Sequence, residues 1–177
     1  MILSIKKGFL ISLLLVNFNV FASTLINPGA SFDIGFSPNG NSLDLVLQGI
    51  RSAKNSIHVA AYSFTSKPIA AALIAAKNRG VDVKVVADQK SSEEEYSVTG
   101  YIAAKGIPVR TDGNYAIFHQ KFIVIDGVSL ETGSFNFSSS AATRNSENVL
   151  VLWNVPQIAQ TYEIKWSQLW NESLDLK

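Results

Sequence analysis

Short runs of strand-like alternation take turns with stretches of helical periodicity along most of this chain, and that pattern restricts the fold more than any other feature. Phe32-Asp33-Ile34-Gly35-Phe36 alternates with period two and stops at the turn cluster Ser37-Pro38-Asn39-Gly40. Asn41 or Ser42 then caps a predicted helix whose apolar face is Leu43, Val46, Leu47 and Ile50. Ile57 to Ser63 reads as a strand. Ser66 caps a second helix, with Pro68 in its first turn and Gly80 just past its end. Asp82 to Ala87 is a further strand. Ser91 and Ser92 precede Glu93, Glu94 and Glu95, whose charges suit a helix N-terminus, and this third helix is expected to run to about Gly106 despite Gly100. Ile107 to Arg110 leads into a loop. His119 to Ile125 and Val128 to Thr132 read as strands joined by the turn-prone pair Asp126-Gly127. Glu147 to Trp153 is another strand, and Pro156 to Trp170 a closing amphipathic helix. Strand–helix units followed by antiparallel additions imply an α/β fold, a mixed β-sheet flanked by helices on both faces. There is no internal repeat.

The first 22 residues stand apart from that pattern. Lys6 and Lys7 precede a run, Phe9 to Val16, that is apolar apart from Ser12, and Val20-Phe21-Ala22 ends the stretch on residues suited to a signal peptidase. That order is a secretory signal peptide over residues 1–22, with cleavage expected after Ala22 and one catalytic-size domain over 23–177. Phe9 to Ala22 is too short for the roughly 20 apolar residues of a membrane span, so no stable membrane association is expected once the signal is removed. Export to a bacterial periplasm or to the medium follows as an expectation. Lys6 and Lys7 leave with the signal, so 13 of the 15 basic residues remain against 14 acidic ones, a net charge of −1. A protein that coats itself with nucleic acid through a broad cationic surface is normally far more basic, so any cations for such a substrate must be gathered at one site. The chain has no cysteine, which removes disulfides, thiolate metal sites and thiol nucleophiles together.

The chemistry is concentrated between His119 and Glu147. On a strand His119 and Lys121 project to one side while Gln120 points away. An imidazole is a nucleophile and proton carrier near neutral pH, and an ammonium beside it neutralises a phosphate oxygen. Ser134 and Asn136 add neutral donors after Gly133, where the absent side chain lets backbone come close. Nucleophile, cation and donors on one face suit attack on a phosphodiester. Asp126 has a sufficient structural explanation in its strand-to-strand turn. His58, in Ser56-Ile57-His58-Val59-Ala60 and without a lysine two residues on, is expected to fill a strand position.

The spacing His119-x-Lys121, four residues, Asp126, six residues, Gly133-Ser134-x-Asn136 resembles the signature of the phospholipase D superfamily. Six specified positions at fixed separations arise by chance on the order of once in 10⁵ to 10⁶ chains. Ala60-Ala61-Tyr62-Ser63-Phe64-Thr65, Glu131 to Phe137 and Asn145-Ser146-Glu147-Asn148 extend the likeness to the small single-motif bacterial endonucleases of that superfamily, over essentially all of the chain after residue 22. The resemblance implies His119 as nucleophile and Lys121, Ser134 and Asn136 as phosphate-binding groups. It makes Glu147 the acid that hydrogen-bonds the catalytic histidine, and Asp126 and Gly133 structural members of the motif. It implies no metal and no cofactor, a nucleic-acid substrate, and a homodimer that brings two single motifs together across a two-fold axis.

Two rival readings stay open at the level of sequence. A lipid phosphodiesterase acting on phospholipid or cardiolipin headgroups keeps the chemistry and changes the substrate. A non-catalytic nucleic-acid-binding module on the same scaffold would have lost His119 or Lys121, and both are present. Tyr162, Trp166 and Trp170 fall on one face of the closing helix, where core packing or a dimer contact explains them better than lipid. Tyr115, Phe118, Tyr62 and Phe64 are the aromatics placed to stack on bases.

Overall fold

A computed structural model describes residues 26–176; the signal segment and its cleavage point lie outside them. Eight strands form one sheet in the order β1-β7-β6-β5-β2-β3-β4-β8. They are β1 (Ser31–Ser37), β2 (Ser56–Ala61), β3 (Asp82–Asp88), β4 (Val109–Asp112), β5 (Lys121–Ile125), β6 (Ser129–Gly133), β7 (Glu147–Trp153) and β8 (Leu174–Asp175). The helices are α1 (Ser42–Ser52), α2 (Lys67–Asn78), α3 (Gln89–Ser92), α4 (Thr99–Ala104), α5 (Ser139–Thr143) and α6 (Pro156–Glu172). β2, β3 and β4 run parallel, joined by helical crossovers, while every other neighbouring pair is antiparallel. The mixed sheet with helices on both faces is the architecture expected from the sequence.

Alternation along the strands divides the core in two. Ile57, Val59, Val83, Val85, Ile123, Ile125, Val149 and Val151 bury one face against α1, α2, α4 and α5. Ala60, Val86, Phe122, Val124 and Leu130 bury the other against Ala159, Trp166 and Leu169 of α6. Trp166 is central there: its Nε1 donates to the Val59 carbonyl at 2.9 Å, and its ring stacks on Trp170 at 5.1 Å. Tyr162 meets the Phe122 ring edge-on at 5.0 Å. The aromatic face of the closing helix is therefore core.

The local signals act largely as expected. The Ser66 side chain accepts from the Ile69 amide, Pro68 opens α2, and Gly80 leaves it at a φ of 92°. Asp126 and Gly127 turn β5 into β6 with φ of 52° and 65°, the left-handed pair that suits a two-residue hairpin turn. Asn41 occupies the N-cap of α1 without a side-chain cap bond, and the Ser42 hydroxyl is buried without a partner among the described residues.

Three elements differ from expectation. The acidic run is not the first turn of a long helix: Glu93 caps the C-terminal end of α3, Glu94 and Glu95 follow in a turn, and α4 starts afresh at Thr99. β5 begins at Lys121, which leaves His119 in extended chain just outside the strand. The segment after Ile107 carries β4, paired on its outer side with the two-residue β8.

Candidate active site

The register assembles the site along one end of the sheet. Ala61 ends β2 opposite Lys121, which starts β5, and opposite Ala87 near the end of β3. Glu147 starts β7 opposite Ser37, the last residue of β1. β6 runs out at Gly133 beside them, so the carboxyl ends of β1, β2, β3 and β6 share a rim with the amino ends of β5 and β7.

Two groups of opposite accessibility sit at the middle of this rim. His119 is exposed, its ring edge-on to Tyr62 at 4.8 Å. Lys121 is only 8% exposed; its Nζ lies 5.1 Å from the centre of the same Tyr62 ring and donates to the His119 carbonyl at 3.1 Å. One tyrosine thus braces both side chains and keeps them together. Burial pushes the Lys121 ammonium down to about 8, against the opposing pull of the Glu147 carboxylate. Among the described residues this cation has no carboxylate bonded to it, and it is stripped of much of its water. An incoming anion therefore gains more from it than from a surface lysine.

Beside this pair, Ser134 donates to Glu147 Oε2 at 2.6 Å and accepts from the Asn148 amide at 3.0 Å. Asn145 donates to the other Glu147 oxygen at 3.0 Å. Both Glu147 oxygens are therefore engaged from its own side of the rim, and among the described residues no hydrogen bond joins Glu147 to His119. Asn136 is half-buried, with its Oδ1 inaccessible and without a partner among the described residues. Gly133 has a steric cause: a Cβ there would lie 2.2 Å from the Asn148 carbonyl oxygen, so only glycine lets β6 and β7 close up behind Ser134. Asp126 sits at the opposite end of β5. Its carboxylate accepts from the backbone amides of Lys54, Asn55 and Ser56 at 2.7–3.2 Å. Burial opposes its ionisation, but those three donors outweigh it and hold the carboxyl below its usual value. It clamps the loop after α1 to the hairpin and does not touch the rim.

The family profile described as "Cardiolipin synthase, PLD-like domain" matches residues 46–170. The chain belongs to the phospholipase D superfamily. That places it in a family of phosphodiesterases. Among solved structures it is similar to Nuc, a phospholipase D family member from Salmonella typhimurium, with a TM-score of 0.81 and 48% identity over 84% of this chain and 99% of that one. NucT from Helicobacter pylori gives a TM-score of 0.77 and 25% identity over 83% of this chain and 99% of that one. A protein named phospholipase D from Rickettsia bellii is 35% identical over 131 residues, 74% of this chain. One named mitochondrial cardiolipin hydrolase from Chlamydomonas reinhardtii is 31% identical over 136 residues, 77% of this chain. The matched region spans 65% and 60% of those two relatives.

Within the phospholipase D fold the remaining residues sort by burial. Phe118 and Phe64 are 2% and 1% exposed, so of the four aromatics Tyr62 alone lies against His119, while Tyr115 is exposed with its hydroxyl donating to Glu172 at 2.7 Å. His58 is away from the rim, stacked on Trp166 at 4.1 Å with its Nδ1 2.7 Å from Glu163 Oε1. It fills a packed position, as its sequence context implies. The residue that sequence reasoning passed over is Glu131. It stands on β6 two residues before Gly133, is 1% exposed, and among the described residues has no hydrogen-bond partner on either oxygen. Its period-two position beside Ser129 reads as a solvent face, whereas α1 and its neighbours cover that face.

Proposed function

We propose that the chain is an exported, metal-independent endonuclease that hydrolyses phosphodiesters through a phosphohistidine on His119. The observation that carries the reading is the pairing of an exposed imidazole with a half-dehydrated ammonium that bonds no carboxylate among the described residues, both braced on Tyr62. The likeness to Nuc over nearly all of that chain supports nucleic acid as substrate.

In this mechanism a His119 ring nitrogen attacks phosphorus, forming an N–P bond as the P–O bond to the leaving sugar breaks. Lys121 holds the non-bridging oxygens as charge gathers on them, with Asn136 donating beside it and Ser134 joining once its hydroxyl turns from Glu147 to the phosphate. The leaving alkoxide needs a proton, and the water that later cleaves the N–P bond must lose one. One histidine cannot be nucleophile and acid at the same moment, and the chain's other histidine is fixed against Glu163 and Trp166 on the α6 side. The acid is therefore His119 of a second copy, in a homodimer whose motifs meet across the rim. Each step uses side chains alone. Phe32, Ile34 and Phe36 support such a contact: they are 64%, 49% and 63% exposed on the outermost strand, and Phe36 pairs with Asn148 next to Glu147. Glu147 orients His119 once substrate draws the two together, a role for which it already lies close enough to act on Lys121.

One specific observation favours a second substrate. Relatives named for phospholipid and cardiolipin hydrolysis share the domain, so a lipid headgroup ester is the alternative. Among the described residues no helix is long and apolar enough to cross a membrane. The test is plasmid nicking by protein lacking residues 1–22 in excess EDTA, with His119→Ala alongside and phosphatidylcholine and cardiolipin vesicles as parallel substrates. Nicking that survives chelation and is lost in the variant supports the nuclease. Vesicle hydrolysis without nicking transfers the same chemistry to lipid.

A further inference from the structure

Glu131 is unusual among the described carboxylates in being both enclosed and without a donor. It lies opposite Ile123 on β5 and Val151 on β7, so its side chain points into the core beneath α1. Residues two apart on a strand share a face, and Lys121, two before Ile123, is therefore the diagonal neighbour of Glu131, about 7–8 Å away across the pleat. Gly133, next along β6 on that face, puts no side chain between them.

The other charged groups around this face are engaged or turned outward. Glu147 on β7 accepts from Ser134 and Asn145, and Asp33 on β1, in register with Val151, accepts from Trp153 Nε1 at 2.7 Å. Asp44 and Arg51 of α1, Lys67 and Arg79 of α2, Lys105 after α4 and Arg144 after α5 are exposed, and Lys77 packs on Gly106. Lys121 is the cation that the register sets diagonal to Glu131, and its Nζ turns to the His119 carbonyl and the Tyr62 ring. That orientation fits an uncharged Glu131: a carboxylate in so dry a place would draw the ammonium inward.

We propose that Glu131 is a positioning residue that keeps its proton while the site works, so that the charge of Lys121 faces the phosphate, and that loss of this proton disables the site. The inference rests on the proposed role of Lys121 as a phosphate-binding group. Desolvation pushes the Glu131 carboxyl up to about 8, in the same range to which burial lowers Lys121. The working state thus holds two protons, one on each group, and both leave as the medium becomes alkaline.

The sign for stability follows from the raised folded-state value. The neutral acid stabilises the fold in full below the ordinary carboxylate range, and that contribution declines as pH rises until Glu131 ionises near 8. Two measurements on the protein lacking residues 1–22 test this, with Glu131→Gln and, in case the buried amide packs badly, Glu131→Leu. In the first, Tm is followed from pH 5 to pH 9. Wild type is expected to lose stability between pH 5 and 8 relative to both variants; parallel curves for all three would overturn the proposal. In the second, kcat/KM for DNA is followed into alkali. Log kcat/KM falls with a limiting slope about one unit smaller in the variants than in wild type, because one of the required protons has been removed while those of Lys121 and the acid His119 remain. Equal slopes overturn the link to Lys121. If no protein cleaves DNA, the affinity for inorganic phosphate over the same pH range replaces the rate. The stability curves then still decide for Glu131, and only the nuclease reading is lost.

Discussion

The two histidines of this chain occupy the same sheet and have opposite surroundings. His58 lies within β2, its ring flat against Trp166 with an interplanar angle of 9°, its Nδ1 on Glu163 and its Nε2 buried without a partner among the described residues. His119 lies one residue beyond Gln120 and the start of β5, exposed and touched edge-on by Tyr62. The first is packed in place and has no open side from which to attack anything. The second has a lysine behind it and solvent in front. Residue type is identical, so the contrast isolates position: within a strand the fold consumes the imidazole, and at the strand's mouth it leaves the ring available. Lys121 and Lys84 repeat the lesson. Lys84, in register with His58, spends its charge on Asp82, while Lys121 bonds no carboxylate among the described residues.

The sharpest way to break that comparison is His119→Ala, expected to lower kcat/KM by at least about a thousand-fold with Tm unchanged. Comparable loss in His58→Ala, measured per folded molecule, would mean that both rings take part. Gly133→Ala should cost about 3 kcal/mol and reduce turnover, because the added methyl drives β6 from Asn148 and shifts Ser134 from Glu147; chemical denaturation beside the nicking assay checks both. Asp126→Ala should cost about 2 kcal/mol by orphaning the amides of Lys54, Asn55 and Ser56, with kcat unaffected. The folded-state value of Asp126 is depressed, so wild type carries this increment above the ordinary aspartate range and loses it as pH falls through the folded value. The variant should therefore lack that acid-side decline in Tm. His58→Phe is the mildest, expected to cost about 1 kcal/mol and to leave nicking intact, since a benzene ring keeps the stack on Trp166 and gives up only Glu163.

How far the sequence discloses this arrangement depends on how local each cause is. Ser66, Pro68 and Gly80 bound α2, and Asp126-Gly127 closes the hairpin, because capping and positive φ are properties of one or two residues. The spacing from His119 to Asn136 is legible for the same reason, being a hairpin and its sequel. Elements that depend on distant partners are not. β8 has two residues and exists through its pairing with β4; the interruption between α3 and α4 is fixed where the Val98 amide bonds the Phe64 carbonyl. Glu131 is the clearest case. Alternation with Leu130 and Thr132 marks it as solvent-facing, and only the helices laid over that face by the crossovers reverse the assignment. The contact between Ser134 and Glu147 is likewise set by the β6–β7 register, which no short segment contains.

Apart from Tyr62, which braces His119 and Lys121 from the end of β2, the groups proposed to attack, bind or position the phosphate come from the antiparallel half of the sheet or the chain leading into it, on the continuous segment from His119 to Glu147, while β3, β4 and the crossover between them supply a floor. Reactivity and scaffold are thereby written in separate stretches of the gene. Drift, insertion or recombination in the crossover between β3 and β4 leaves the reacting groups untouched. A lineage built this way is free to acquire new substrates by altering what surrounds the rim, without having to reinvent the reaction.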